Sequence, residues 1–472
     1  MAVRAGAVLM RAKDAGRRIG AAVVASALVA AATLATPPAD PVPPVFALPE
    51  LSSDVAGEAQ SIWYCPWAEA GAERDTVISM ASLGAADAVM TIPNPSPADE
   101  ADTAELQLGT LSAFDVELGE VVRRGQAPMF VEFAGGPAMV STLMRSNTLL
   151  SGDRCVASAP KVWYLTGGTT RSGIQLTLRL FNPFPENARV LVSGSSEFGN
   201  EPIPGGSLDV PARSWRDIPL SQEVPFLDEL SVTVSSETGL VLPTMVMANG
   251  TDEATWPGTP LSETWYFPVG GVEGVESELV ITNPGDAPLT LDVEVFTSEG
   301  PVPGTSMTLE PGGPRRIALS EIASGAFGIS VTSSGRTAAV VIASEVVVEE
   351  ELGGGEGEAP PEESGPLGGK LAGTVGRNSP ATRWLVAGTG NVSITSTVWL
   401  MNTGLQPATV TMQPLSGRGE EAEEIIVGDG ELIRYPSQDG LGYFIEASQP
   451  ISVAWTASSA LGLAFIAGVA VE

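Results

Sequence analysis

The stretch Trp163–Asn182, WYLTGGTTRSGIQLTLRLFN, constrains this chain more than any other, because its pattern returns. An aromatic pair is followed by paired glycines, an apolar strand and an Asn-Pro stop. Trp265 opens WYFPVGG and leads to ITNPG at Asn283; Trp384 opens WLVAGTG and leads to LMNTG at Asn402. The Trp-to-Asn intervals are 19, 18 and 18 residues by the numbering. A looser first copy runs from WYCPW at Trp63 to TIPNP at Asn94, stretched to 31. The anchors Trp63, Trp163, Trp265 and Trp384 divide the chain into units of roughly a hundred residues, the size of a β-sandwich.

Within the units the period is that of strands. Gln175–Phe181 (QLTLRLF) alternates polar and apolar residues, the signature of a half-buried strand, and the Pro after Asn182 stops it. The paired glycines read as turns. LEPGGPRRIAL in the third unit matches LDVPARSWRDIPL in the second, and FGISVTSSGRTAAVVIA matches LSVTVSSETGLVLPTMVMA, read as closing hairpins. Ile451–Val471 is uncharged for 21 residues, yet it aligns with those hairpins and reads as strands rather than a membrane helix. A closed β-propeller is disfavoured, since a blade takes about 40–50 residues. The fold expected is all-β, with tandem immunoglobulin-like β-sandwich units after an N-terminal signal-anchor helix.

The expected boundaries follow. Residues 1–18 are a basic cytoplasmic region, 19–38 a signal-anchor or signal-peptide helix, and 39–60 a Pro-rich linker. Sandwich units occupy 61–160, 161–262, 263–350 and 381–472, with an acidic Gly/Pro linker at 351–380. Arg4, Arg11, Lys13, Arg17 and Arg18 precede the apolar run, and the positive-inside rule then places the bulk of the chain outside the membrane. The chain is expected to stay on the cell membrane by this single span, or to be secreted after cleavage near Thr33-Leu34-Ala35. Cys65 and Cys155 are the only cysteines. They flank the first unit, so in an oxidising space a disulfide between them is expected.

Chemistry is scarce. The formal net charge of -32 argues against nucleic acid, and the densest acidic loop, ADEADTAE, lacks calcium-loop spacing. There is no histidine, which removes the commonest general base and zinc ligand. Ser158-Ala-Pro-Lys161 fits S-x-x-K by chance, because Pro160 breaks the helical turn that motif needs. No catalytic, cofactor or metal residue is singled out. The aromatics Trp63, Trp67, Trp163, Trp265 and Trp384, with Tyr64, Tyr164 and Tyr266, are candidate sugar platforms. A Trp repeated at one template position, however, more naturally fills a core.

The combination WYCP, CVASAPKVWYL and repeated LFNP/ITNP strands resembles a family of actinobacterial exported proteins catalogued only as a domain of unknown function. The resemblance covers about residues 60–472 and implies envelope location with no established activity. The expected role is a non-catalytic extracytoplasmic spacer or protein-interaction scaffold, needing no cofactor. The alternative is a cell-wall polysaccharide-binding module using the Trp platforms. A glycan-processing enzyme with two carboxylates across a cleft comes last. The expected partners are an envelope protein or cell-wall polysaccharide, with the membrane reached through the N-terminal helix.

Overall fold

Alternating side chains and Gly/Pro punctuation produce antiparallel sheets throughout the computed structural model. It describes residues 60–94, 99–122, 124–147, 149–345, 370–389 and 394–471. The basic region 1–18, the helix at 19–38 and nearly all of the 39–60 linker lie outside these residues. Among the described residues, no helix is long and apolar enough to cross a membrane.

The second segment gives the pattern. Val162–Gly168 pairs with Leu230–Thr238, which pairs with Ala188–Ser196; Gly199–Glu201 and Ser207–Val210 flank that strand on its far side. The other sheet runs Ser214–Pro219, Gln175–Asn182, Leu242–Ala248, Glu253–Pro257. Trp163, Leu178, Leu180, Val190, Val232 and Val234 fill the space between the two sheets and are buried. The same pairing order runs through the first segment as Gln60–Cys65, Met129–Gly135, Ala86–Ile92, Asp102–Leu108. Its other sheet follows Ser112–Glu117, Arg74–Ser82, Ala138–Ser146, Leu150–Arg154. In the third and fourth segments one long strand, Phe327–Glu345 or Tyr443–Ser458, takes part in both sheets. The stretches read as closing hairpins are therefore crossings from one sheet to the other.

Two further readings change. The paired glycines lie inside strands, where the register shifts between Leu165 and Gly168 and between Phe267 and Gly271. A Cβ on Gly271 would stand 2.2 Å from a ring carbon of Phe327, so the glycine permits a close approach rather than a turn. Leu371–Val375, inside the stretch read as linker, is a strand paired with Val340–Ser344. Leu371, Ala372 and Val375 are buried. Five apolar or small residues suffice for a strand, and the acidic composition around them masked it.

One late strand of each segment lies innermost: Leu150–Arg154, Glu253–Pro257, Leu371–Val375 and Leu463–Ala467. Each packs on the next, and the fourth returns to the first. Small residues make room for large ones. Trp256 lies against Gly373, where a Cβ would fall 2.7 Å from its ring, and Ile466 lies against Gly152 at 3.0 Å. The first and fourth segments also share backbone hydrogen bonds, Ala113 N–H to Leu415 O at 2.9 Å and Gly417 N–H to Leu111 O at 3.3 Å. Leu385, Ala387, Leu415 and Val471 join the core of the first segment. The four segments thus close a ring instead of forming a string.

Candidate functional site: the seam between the first and second segments

The residues singled out from sequence are occupied by the fold. Trp63, Trp163, Trp265 and Trp384 are all at most 6% exposed. Trp163 Nε1 donates to Val241 O at 2.9 Å, Trp265 Nε1 to Thr337 Oγ1 at 3.2 Å, and Trp384 Nε1 to Ala381 O at 3.0 Å. Trp63 Nε1 is buried without a partner. The four anchor indoles offer no open face to a sugar, while Trp67, Tyr164 and Tyr266 are half-buried. The companion Tyr64 is buried as well, and its ring packs 5.6 Å from that of Phe184.

Asn182, Asn283 and Asn402 each pin the loop after their strand. The side-chain amide of Asn283 donates to Ala287 O at 2.8 Å and Leu309 O at 3.4 Å, while its Oδ1 accepts from Gly285 N at 3.0 Å. Asn182 does the same with Glu186 O, Val210 O and Phe184 N, and Asn402 with Gln406 O, Val427 O and Gly404 N. Asn94 does not hold the equivalent place. It follows Ala86–Ile92, one strand later than the others. The position belongs to Ser82, 19 residues after Trp63, which pairs with Ser112 as Asn182 pairs with Ser214. The first unit is not stretched; its pin has a different side chain.

The Cys65–Cys155 disulfide is formed, with a Cα–Cα distance of 4.6 Å. It ties the first segment's opening strand to the residue after its innermost one. Such a bond points to an oxidising, extracytoplasmic compartment.

Sequence reasoning missed a polar cluster that lies where the first and second segments meet. Asp252 and Glu253, each 4% exposed, stand just before and at the start of the innermost strand of the second segment. Glu253 Oε1 accepts from Trp67 Nε1 at 2.8 Å, and Oε2 from Arg74 Nη2 at 2.7 Å. Arg74 also meets Glu69 at 3.3 Å. Asp252 Oδ1 accepts from Glu253 N and Oδ2 from Leu371 N, both at 2.9 Å, with the Leu150 amide as a further donor. One carboxyl therefore joins innermost strands of three segments. Burial pushes Asp252 up to about 7 against the pull of those amides. Burial also raises Glu253, opposed by Arg74.

The cluster continues through Arg179, whose side chain is fully buried. Its guanidinium lies 4.2 Å from the Trp67 ring centroid and 5.9 Å from that of Trp215, a cation–π arrangement. It grips Asp217 with two bonds of 2.7 Å, the strong bidentate geometry. Gln126 links Asp217 and Trp215 at 3.1 and 2.8 Å. No local period announces this cluster, since its residues come from three distant stretches, at Trp67 and Arg74, at Arg179 and at Asp252. The one available signal was an Asp-Glu pair entering an otherwise apolar strand.

Beside it a cleft of ≈ 480 Å³ is lined by Glu73, Arg74, Asn147, Gln175, Thr251 and Asp252, among others. Three carboxyl groups line the cleft, Glu73, Asp252 and Glu253, where a glycosidase needs a pair. All four carboxyl oxygens of Asp252 and Glu253, however, already accept hydrogen bonds from the protein. Among the described residues no group of three or more His, Cys, Asp or Glu side chains could hold a metal ion.

Fold and seam together define an all-β protein of several sheets carrying one disulfide, its polar cluster turned inward on its own joints. Residues 253–360 match a family of unknown function, DUF5719. That match begins at the innermost strand of the second segment, not at a Trp anchor. A search of curated proteins finds no match to the chain.

Proposed function

We propose that this protein is a non-catalytic scaffold of the cell envelope, built of four immunoglobulin-like sandwiches closed into a ring and held at the membrane by its N-terminal helix. The observation that carries the reading is where the polar and aromatic chemistry is spent. The repeated Trp and Asn side chains, the acids of the first seam and Arg179 all bind other parts of the chain. A scaffold is favoured over an extended spacer because the fourth segment returns to the first. Partner binding then falls to the outer surface, where Phe198 and Phe226 are 79% and 76% exposed. Phe226 also holds a φ of +66°, a conformation costly for a bulky residue.

Cross-linking in living cells with the full-length protein tests this. The expected result is a defined envelope protein attached to wild type and lost in a Phe198→Ser/Phe226→Ser variant. Recovery of polysaccharide fragments in its place would overturn the reading.

A further inference from the structure

Each segment carries a corresponding outermost strand: Asp102–Leu108, Ser207–Val210, Gly300–Leu309 and Glu423–Val427. Among the described residues each pairs on one side only. An open edge offers unpaired N–H and C=O groups to any extended chain, and charges on it deter such pairing. Asp102 and Glu105 guard the first edge, Asp209 the second, Glu423 and Glu424 the fourth. Gly300–Leu309 is the longest of the four and has no charged residue, in a chain of net charge -32.

Half of this strand is protected in another way. Pro301 and Pro303 remove donors from its beginning, and the register shifts there, beside Gly304. Thr305–Leu309 contains no proline. Thr290, opposite Thr308, gives its N–H to Ser334 Oγ at 2.9 Å, on the side away from the edge. Antiparallel pairs alternate in this respect, so Thr308 and Ser306 turn their own N–H and C=O outward.

The two faces beside the open half differ. Met307 and Leu309 pack on the core. Ser306 and Thr308 are exposed on the other face, together with Asp292 and Glu294 of the neighbouring strand. Thr332 and Ser330 stand opposite those acids, where a cation would offset them. The edge ends in a cleft of ≈ 760 Å³, lined by Thr308, Leu309, Glu310 and the exposed Phe198, among others.

We propose that Thr305–Leu309 accepts an extended strand of the partner protein, one that alternates apolar and basic side chains. This rests on the scaffold reading above and names the chemistry of its partner. Backbone bonds to Ser306 and Thr308 align the incoming strand. Its apolar side chains cover Met307, and its lysines or arginines reach toward Asp292 and Glu294. Continued past Leu309, the same strand enters the cleft beside Phe198.

The test is calorimetric titration of the full-length protein with a short, end-blocked peptide alternating valine and lysine. Saturable binding is expected. A strand bonds its neighbour through alternate residues. N-methylation of one set of amides, the valines or the lysines, should therefore weaken binding about tenfold or more, and methylation of the other set should not. Ser306→Pro/Thr308→Pro should abolish binding, while Thr308→Val, which keeps the backbone donor, should retain it. The methylated peptides leave the protein untouched, so they decide the matter even if the proline variant unfolds. No saturable binding, equal effects of the two methylations, or equal binding of a valine–glutamate peptide overturns the proposal. So does a dimer seen by sedimentation and lost in the proline variant, because a second copy would then occupy the edge. The scaffold reading is judged separately by the cross-linking of Phe198→Ser/Phe226→Ser: a partner lost there, with no peptide bound, sinks the edge proposal alone.

Discussion

Two joints of the ring solve the same packing problem with opposite chemistry. Between the third and fourth segments the contact is apolar: Val269, Phe296, Ala343 and Ala372 meet Trp399, Met401, Leu432, Ala454, Leu463 and Phe465. Between the first and second, beside an apolar contact of Tyr64, Phe130 and Val156 with the second segment's core, runs a chain of charges and indoles from Glu69 to Trp215. Apolar contacts are non-directional and gain roughly 25 cal/mol per Å² buried. Buried ion pairs gain little net stability but penalise any wrong geometry. The comparison assigns stability to the apolar joint and exact seating, with pH response, to the polar one.

The sharpest way to break this contrast is at the apolar joint. Phe465 is fully buried, and Phe465→Ala should cost about 3–5 kcal/mol in urea unfolding, by lost transfer and the cavity left behind. That loss should be independent of pH.

The polar joint should behave otherwise. The Asp252 carboxyl sits at about 7 in the folded protein, against roughly 3.9 unfolded. Between these values the folded state binds more protons, so the stabilising contribution is present at low pH and falls as pH rises toward 7, levelling off above it. The full change is at most roughly 4 kcal/mol. Asp252→Asn should flatten that part of the stability–pH curve, while Phe465→Ala keeps the wild-type slope. Equal slopes for Asp252→Asn and wild type would remove Asp252 from the account.

Arg179→Met should cost about 2–3 kcal/mol, since Asp217 loses its bidentate partner while staying partly solvated. The companion Arg179→Met/Asp217→Leu should recover part of that loss. A double variant worse than the single would show that the pair supports stability and not only seating. The smallest effect is local: Asn283→Ala removes a loop pin and should cost about 1–2 kcal/mol, read as faster hydrogen exchange at Gly285.

How much of this was legible in the sequence depends on the range of the interaction. Alternation in QLTLRLF is local, and it announced strands correctly. The all-β class and the Cys65–Cys155 bond were within reach for the same reason, since a two-cysteine chain leaves one pairing. Register was harder. Asn94 attracted the reading because it precedes Pro, whereas Ser82 fills the place with a shorter side chain and no motif. Leu371–Val375 was lost in acidic surroundings, because neighbours dominate any composition window. Ring closure had no local signal at all. Ser112 meets Ser416 across most of the chain, and Asp252 acquires its role only when strands from three segments converge.

The closed ring is the central claim, and the Ser112–Ser416 bridge tests it most directly. Paired residues on adjacent antiparallel strands lie within reach of a disulfide, whose Cα atoms stand about 4.4–6.8 Å apart. Ser112→Cys/Ser416→Cys, oxidised in dilute solution and mapped by proteolysis and mass spectrometry, should give a near-complete intramolecular link between the first and fourth segments. If both thiols stay free while the native Cys65–Cys155 bond forms, the segments are a string and the ring is wrong.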